Sequence, residues 1–199
     1  MESEDSYMRL ALEDFLDEIA TADLLPGGGF VSGYAVAMAA GLVAMIARLS
    51  SEHWPEARTI SAQAQTLRRR VTPLAALNAE SYSAAIAALR GGEAGSGESS
   101  RDEAIADALQ QAARIPLQIG EVACDVAVLA AVVAERGDPG LRADAVVAAL
   151  LAQASARAAA TLVEVNLGTT AGDERLTQAR DLAGAATVAL ERALAAVHS

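Results

Sequence analysis

Three consecutive glycines stand directly before a long apolar segment, and their position suggests a binding site. The run is Pro26, Gly27, Gly28 and Gly29. Glycine lets the backbone turn sharply and brings N–H groups close to a ligand, while a helix N-terminus adds unsatisfied donors and the positive end of a dipole. An anion or a polarised carbonyl group can bind at such a place. The same run also fits a tight turn between packed helices. For a glycine run without further evidence, this structural role is favoured over a binding site.

Two further polar residues lie on one predicted helix near the C-terminus. Asp144 falls in its first turns, where the helix dipole favours an ionised carboxylate, and Asn166 lies 22 residues further on. Both point to nearly the same face, but a rise of about 1.5 Å per residue separates them by roughly 33 Å. Either they have separate roles, or an antiparallel partner subunit brings opposite ends together. Each also fits a structural role, Asp144 at a helix start and Asn166 at a helix end.

A third group comprises Asn78, Glu80 and Tyr82. Asn78 and Tyr82 are four residues apart, so on a helix they share a face and can form a polar pair in a cleft. Glu80 points to the other side, where we expect it to be solvated. The run Arg68–Arg70 is interpreted as surface, because consecutive helical residues point in different directions.

Composition excludes several classes of protein. The formal net charge is −11, which disfavours binding to a nucleic acid backbone. All 15 basic residues are arginine, so a pyridoxal phosphate Schiff base and a P-loop lysine are excluded. The single Cys124 cannot form an internal disulfide or a cysteine cluster for zinc. His53 and His198 lie at predicted helix ends and suggest no catalytic triad, and we expect no metal site.

The elements that position these residues are predicted to be helices throughout. Hydrophobic residues make up 53% of the chain but aromatic residues only 3%, and alanine and leucine favour closely packed helices. Periodicity and breakers predict helices at about residues 9–22, 30–54, 55–89, 101–135 and 141–167, and a last one to the C-terminus. Pro73 and Pro116 are predicted to bend two of them. The sequence therefore predicts a single domain over residues 1–199, an all-α bundle of about six helices with a central small-residue helix.

One segment raises the question of a membrane. Residues 27–47 carry no charge and are long enough to span a bilayer. They are mostly glycine and alanine, however, and no basic cluster flanks them, so the centre of a soluble bundle fits better. The acidic first residues do not match a signal peptide. We therefore expect a cytoplasmic protein that binds neither membrane nor nucleic acid.

Taken in order, these segments resemble the folate cyclodeaminase/cyclohydrolase family. That family has a PGGGS run before a small-residue helix with a Leu-x-x-Met pattern, which is matched here by Pro26–Gly29 and by Leu42–Met45. Further similarity lies in the segments LEDFLDEIA, NAESY, AARIPLQIGEVA, GDPGLRADAVVAALLA and LVEVNL. The glycine run with its helix is moderately specific, and the ordered set is much stronger.

The resemblance implies a homodimer that acts on a tetrahydrofolate derivative, either closing the formimino form with loss of ammonia or hydrolysing the methenyl form. It implies no metal or redox cofactor. Asp144 would be the carboxylate near the cationic carbon, Asn166 a hydrogen-bonding residue, and Tyr82 a residue lining the cleft. The ligand-binding positions would be Pro26, Gly27, Gly28, Gly29, Phe30, Asn78 and Leu162.

Four positions differ from the family pattern. Phe30 and Ala143 replace serines, Asn78 replaces an aspartate, and Leu162 replaces an asparagine. These differences leave open two alternatives, a family member with a non-folate substrate in a specialised pathway and a non-catalytic ligand-binding protein.

Overall fold

The computed structural model describes residues 10–21, 26–90, 98–168 and 172–198. Within these ranges the chain forms helices and no strand, which confirms the predicted all-α bundle. The helices are α1 (Leu12–Ile19), α2 (Gly28–Leu49), α3 (Ala57–Arg90), α4 (Glu98–Arg136), α5 (Arg142–Leu167) and α6 (Glu174–Val197), with 3₁₀ turns at Ser50–Glu52 and Pro139–Leu141. Pro73 and Pro116 lie inside α3 and α4, which continue through them.

Helix α4 packs against four others, α2, α3, α5 and α6. Helix α2 lies between α3 and α5, and α6 lies on the other side of α5. The small-residue helix α2 is therefore flanked by neighbours but not enclosed by them. Gln178 and Arg192 of α6 contact Glu121 and Glu135 of α4, so these two helices run in the same direction.

Alanine makes up most of the core, contributing 27 of the 42 buried hydrophobic residues in the described ranges. Its small side chain lets helix axes approach closely. Gly33 of α2 and Ala75 of α3 show how close, since a Cβ atom added at Gly33 would stand 2.9 Å from the Cβ of Ala75. The predicted close packing of small residues is thus the basis of this fold.

Ser50 joins the end of α2 to the turn that precedes α5. Its hydroxyl donates to the carbonyl of Ile46 over 2.9 Å and accepts from the N–H of Asp138 over 2.8 Å. The C-terminus of α2 and the N-terminus of α5 therefore lie at the same end of the bundle, and the two helices are antiparallel. We call this the Ser50 end, and the opposite end, where α2 begins, the glycine end.

Three segments in the described ranges are long and apolar enough to cross a membrane, judged by length and composition: Gly28–Glu52, Glu103–Arg136 and Pro139–Leu167. The bundle buries 44% to 67% of the residues in their most apolar windows. Much of their apolar surface is thus used within the protein.

Candidate functional site

The glycine run and Asn78 are brought together at the glycine end. Helix α2 begins at Gly28, and Gly27 precedes it without a side chain to cap the helix. A Cβ atom added at Gly29 would stand 2.6 Å from Cγ of Asn78 and 2.8 Å from its Oδ1. The amide of Asn78 therefore lies directly over the backbone of Gly29, in space that a side chain would fill. Two residues predicted separately to bind a ligand are neighbours.

Leu162 and Asn166 lie at the glycine end as well. Both are half-buried in the last turns of α5. On the same helix Gln153 and Glu164 bond to Thr187 and Arg180 of α6. At about 100° per residue, Leu162 and Asn166 lie on the other flank of α5, which turns toward α2.

Asp144 lies at the Ser50 end, half-buried in the first turn of α5. It shares the α2-facing flank with Leu162 and Asn166. Because α5 is one continuous helix, about 1.5 Å per residue places Asp144 and Asn166 roughly 33 Å apart, as the sequence predicts. Within one chain the structure does not bring Asp144 to the glycine end.

Phe30 belongs to a cluster of aromatic rings. It is fully buried, and its ring centroid lies 4.8 Å from that of Tyr34 and 5.8 Å from that of Phe15 in α1. Burial raises the pKa of the Tyr34 hydroxyl. Phe30, which stands where the family has a serine, thus points into the bundle and anchors α1. Pro26 is also buried, beside the start of α2. Ala143, another differing position, is exposed at the Ser50 end.

Tyr82 and Glu80 lie further along α3. Tyr82 is 38% exposed, one turn beyond Asn78. The expectation that Glu80 is solvated is wrong: the residue is half-buried, and packing keeps water from its Oε1, which has no hydrogen-bond partner among the described residues. The position of Glu80 on its helix does not predict this burial, because the burial comes from tertiary packing. The Nε of Arg142, two residues before Asp144, is another buried polar atom that has no hydrogen-bond partner in the described part of the chain.

The remaining candidates are placed as follows. Arg68, Arg69 and Arg70 are exposed, and His53 and His198 are exposed at helix ends. Cys124 is buried, and burial, followed by the charge of Asp125, raises the pKa of its thiol. Across the part of the chain that the structure describes, no cluster of His, Cys, Asp and Glu could hold a metal ion.

Grooves elsewhere on the surface are lined by other residues. One of about 700 Å³ lies along the start of α6, from Gly172 to Ala185. Another of about 520 Å³ lies between α3 and α4 and includes Thr59, Gln63 and Asp125. Neither contains any of the predicted site residues.

Comparison with known proteins gives consistent results. The family model described as formiminotransferase-cyclodeaminase matches residues 11–184. A methenyltetrahydrofolate cyclohydrolase of Methylorubrum extorquens is 33% identical over 162 residues, which cover 78% of each chain. The crystal structure of a formiminotetrahydrofolate cyclodeaminase from Thermotoga maritima superposes with a TM-score of 0.84 over 96% of this chain and 97% of that one. At 24% identity, that likeness shows the fold alone.

Proposed function

Because this chain belongs to the formiminotransferase-cyclodeaminase family, we propose that it is an enzyme of one-carbon folate chemistry that acts as a methenyltetrahydrofolate cyclohydrolase. The observation that carries the proposal is the 33% identity to a cyclohydrolase over 78% of both chains. A cyclodeaminase is the second candidate, supported by the name of the matching family. A non-folate substrate and a non-catalytic role are not favoured, since the relatives carry the names of folate enzymes.

The proposed reaction adds one water molecule to the cationic methenyl carbon that bridges two nitrogens of the substrate. A carbon–oxygen bond forms, one of the two carbon–nitrogen bonds breaks, and one proton is released. The product carries a formyl group on the remaining nitrogen. This chemistry needs positioning, a group that takes the proton and stabilisation of charge, and no metal or redox cofactor enters it.

The residues at the glycine end suit the binding of such a ligand. The uncapped start of α2 offers N–H donors at Gly28 and Gly29, and Asn78 adds an amide beside them. Asn166 adds a second amide, and half-buried Leu162 adds apolar surface. Tyr82 lies one turn from Asn78 on α3, is 38% exposed, and is proposed to contact the ligand beside it. Phe30 contributes by holding α2 and α1 together, because its buried ring has no access to a ligand.

Asp144 is proposed as the catalytic carboxylate. An ionised carboxylate stabilises the positive charge of the methenyl carbon and can accept the proton of the attacking water. It lies in the first turn of α5 and is half-buried there.

The test is hydrolysis of methenyltetrahydrofolate by the purified protein, followed as loss of near-ultraviolet absorbance above the spontaneous rate. Ammonia release from formiminotetrahydrofolate is measured in parallel. Faster conversion of the methenyl substrate supports the cyclohydrolase, and faster ammonia release supports the cyclodeaminase. If neither rate exceeds the spontaneous one, the protein has another function.

A further inference from the structure

Helix α1 is held to the bundle chiefly by one aromatic ring. None of its residues is buried, and in the described ranges none packs against the alanine-rich core. Among the described residues, no hydrogen bond or ion pair joins residues 12–19 to another helix. The ring of Phe15 lies 5.8 Å from that of Phe30 and 5.5 Å from that of Tyr34, between centroids. This contact is therefore what fixes α1 in place.

The segment is also too weak to remain helical by itself. It has eight residues, fewer than the roughly 12–15 that an isolated helix needs. Ala11 precedes it without a side-chain cap, and no basic residue lies in its last turn. Asp17 and Glu18 stand there instead, where the negative end of the helix dipole disfavours carboxylates. When Phe15 leaves its contacts, we therefore expect α1 to swing away or unfold.

The contact of Phe15 lies beside the glycine run. The chain has two phenylalanines and three tyrosines, and both phenylalanines meet Tyr34 here, whereas alanine makes up most of the core. Phe30 directly follows Gly29. The ring contact therefore sets α1 against the first turns of α2, next to the candidate binding site at the glycine end.

The apolar side of α1 is not covered. Leu12, Phe15, Leu16 and Ile19 recur at spacings of three and four and so share one side of the helix. Leu12 is nevertheless 71% exposed and Leu16 is 55% exposed, although Phe15 on the same side contacts the bundle. The other side carries four acidic residues, Glu13, Asp14, Asp17 and Glu18. The leucines are thus available to cover an apolar group of a ligand.

We propose that α1 is a lid of the glycine end, latched by Phe15 against Phe30 and Tyr34, whose leucines Leu12 and Leu16 close over the flat ring of a bound folate. Opening separates Phe15 from the two rings and admits the ligand. Closing buries apolar side chains on one face of the ligand ring and leaves the acidic side in solvent. Only the identity of the ligand rests on the proposed function, since the opening follows from how α1 is attached.

A lipid surface is not the favoured occupant of this apolar side. Helices that lie in a membrane interface carry lysine and arginine on their polar side. Half of the eight residues of α1 are acidic and none is basic, so an anionic membrane would repel it.

The first experiment measures hydrogen exchange of the free protein by mass spectrometry. Amides of α1 should exchange at least about 100-fold faster than those of α2, because α1 opens without global unfolding. The rates should be the same at two protein concentrations that differ tenfold. Exchange in α1 as slow as in α2 would overturn the proposal. Protection of α1 that rises with protein concentration would also overturn it, since a second copy would then cover the apolar side.

The second experiment repeats the measurement with saturating 5-formyltetrahydrofolate, whose binding is followed separately by calorimetry. Exchange in α1 should slow by at least about 10-fold, whereas exchange in α6 should not change. Binding without any change in α1 would overturn the lid. If this folate does not bind and neither folate substrate is converted, the proposed function fails by itself, and the exchange of the free protein still decides whether α1 opens.

The third experiment separates a lid from ordinary packing. Leu16→Ser should weaken binding of 5-formyltetrahydrofolate by at least about 10-fold, the loss expected for one covered leucine, and should leave the thermal midpoint of the free protein unchanged. Val188→Ser is the matched control, because Val188 on α6 is 57% exposed and lies away from the glycine end. It should change neither quantity. A Leu16→Ser protein that melts earlier but binds equally well would make Leu16 a packing residue and overturn the proposal.

Discussion

A side chain at position 29 would collide with the amide of Asn78, and this makes Gly29 the most informative single position at the glycine end. We expect Gly29→Ala to lower stability by about 1–3 kcal/mol, the usual cost of overpacking, measured by urea unfolding. Gly184→Ala is the control: nothing lies within 4 Å of a Cβ atom there. It should be neutral or stabilise by about 0.5–1 kcal/mol, because alanine is the better helix former.

The same contact can be tested from its other side. Asn78→Ala removes the atoms that a new side chain at position 29 would meet. The double variant Gly29→Ala/Asn78→Ala should therefore be more stable than the sum of the two single changes predicts. Strict additivity would mean that the amide is not the obstacle.

Substitution of Asp144 can distinguish a catalytic role of this residue from a structural one. We expect Asp144→Asn to reduce turnover of methenyltetrahydrofolate by at least about 100-fold while the thermal midpoint stays within a few degrees, since no hydrogen bond or ion pair ties its carboxylate to the described residues. Asp125→Asn, an exposed carboxylate on α4, should leave turnover unchanged. An Asp144→Asn protein that melts early yet remains active would make Asp144 structural.

The glycine run and Asn78 are each recognisable in the sequence as candidate ligand-binding residues, but nothing in the sequence shows that they are in contact. Their contact depends on the register between α2 and α3, and that register is set by close approaches such as Gly33 against Ala75. Nothing local to either helix encodes this alignment. The burial of Glu80 was missed for the same reason.

At the scale of the helices, Phe30 determines how α1 is held. We expect Phe30→Ser to cost about 3–5 kcal/mol, as for other large-to-small changes in a core, because it removes a fully buried ring that contacts both Phe15 and Tyr34. Limited proteolysis should then cleave the chain within α1 after a shorter digestion time than in the wild-type protein. Val128→Ser, at a position that is 38% exposed, is the control and should have little effect on either measurement.

The start of α6 gives a prediction about pH. The Asp173 carboxylate pairs with the guanidinium of Arg175 and also accepts from the backbone N–H of Arg175, and these contacts hold the pKa of Asp173 at about 2, below its ordinary 3.8. A lowered pKa means that the charged form stabilises the fold above pH 3.8, and this contribution is lost as the pH falls through about 2.

The variant Asp173→Asn keeps an acceptor at the helix start but removes the charge. Its urea midpoint should lie below that of the wild type by a constant amount above pH 5 and should approach it between pH 4 and pH 2. Asp107→Asn, at an exposed position, should show no such convergence. A difference that does not change with pH would assign the effect to capping alone.

Helix positions were predictable because breakers and periodicity are local. The predicted end of the fifth segment at residue 167 matches the end of α5, and α3 follows Pro55 as expected. Helix α2 stops at Leu49, five residues before the predicted end, because the chain turns where Ser50 bonds to Asp138. The exposed face of α2 could not be predicted, since a helix that is apolar all round carries no periodic signal.

For the molecule as a whole, we predict one cooperative unit, in keeping with a single domain. Trp54 is the only tryptophan, is 6% exposed and lies under the guanidinium of Arg136 at the Ser50 end. Its fluorescence and the helical circular dichroism should change at the same urea concentration. Two separate transitions would mean that the ends of the bundle unfold independently.

The alanine core has a further consequence for how this chain tolerates mutation. Alanine has no rotatable side-chain bonds, so burying it costs no rotamer entropy, and truncating it leaves almost no void. Because alanine has no alternative rotamers, the neighbours in this core cannot rearrange to accommodate a larger side chain. At buried positions such as Ala127 and Ala130 of α4, enlargement should therefore be the damaging change, and the range of side chains compatible with folding should be narrow.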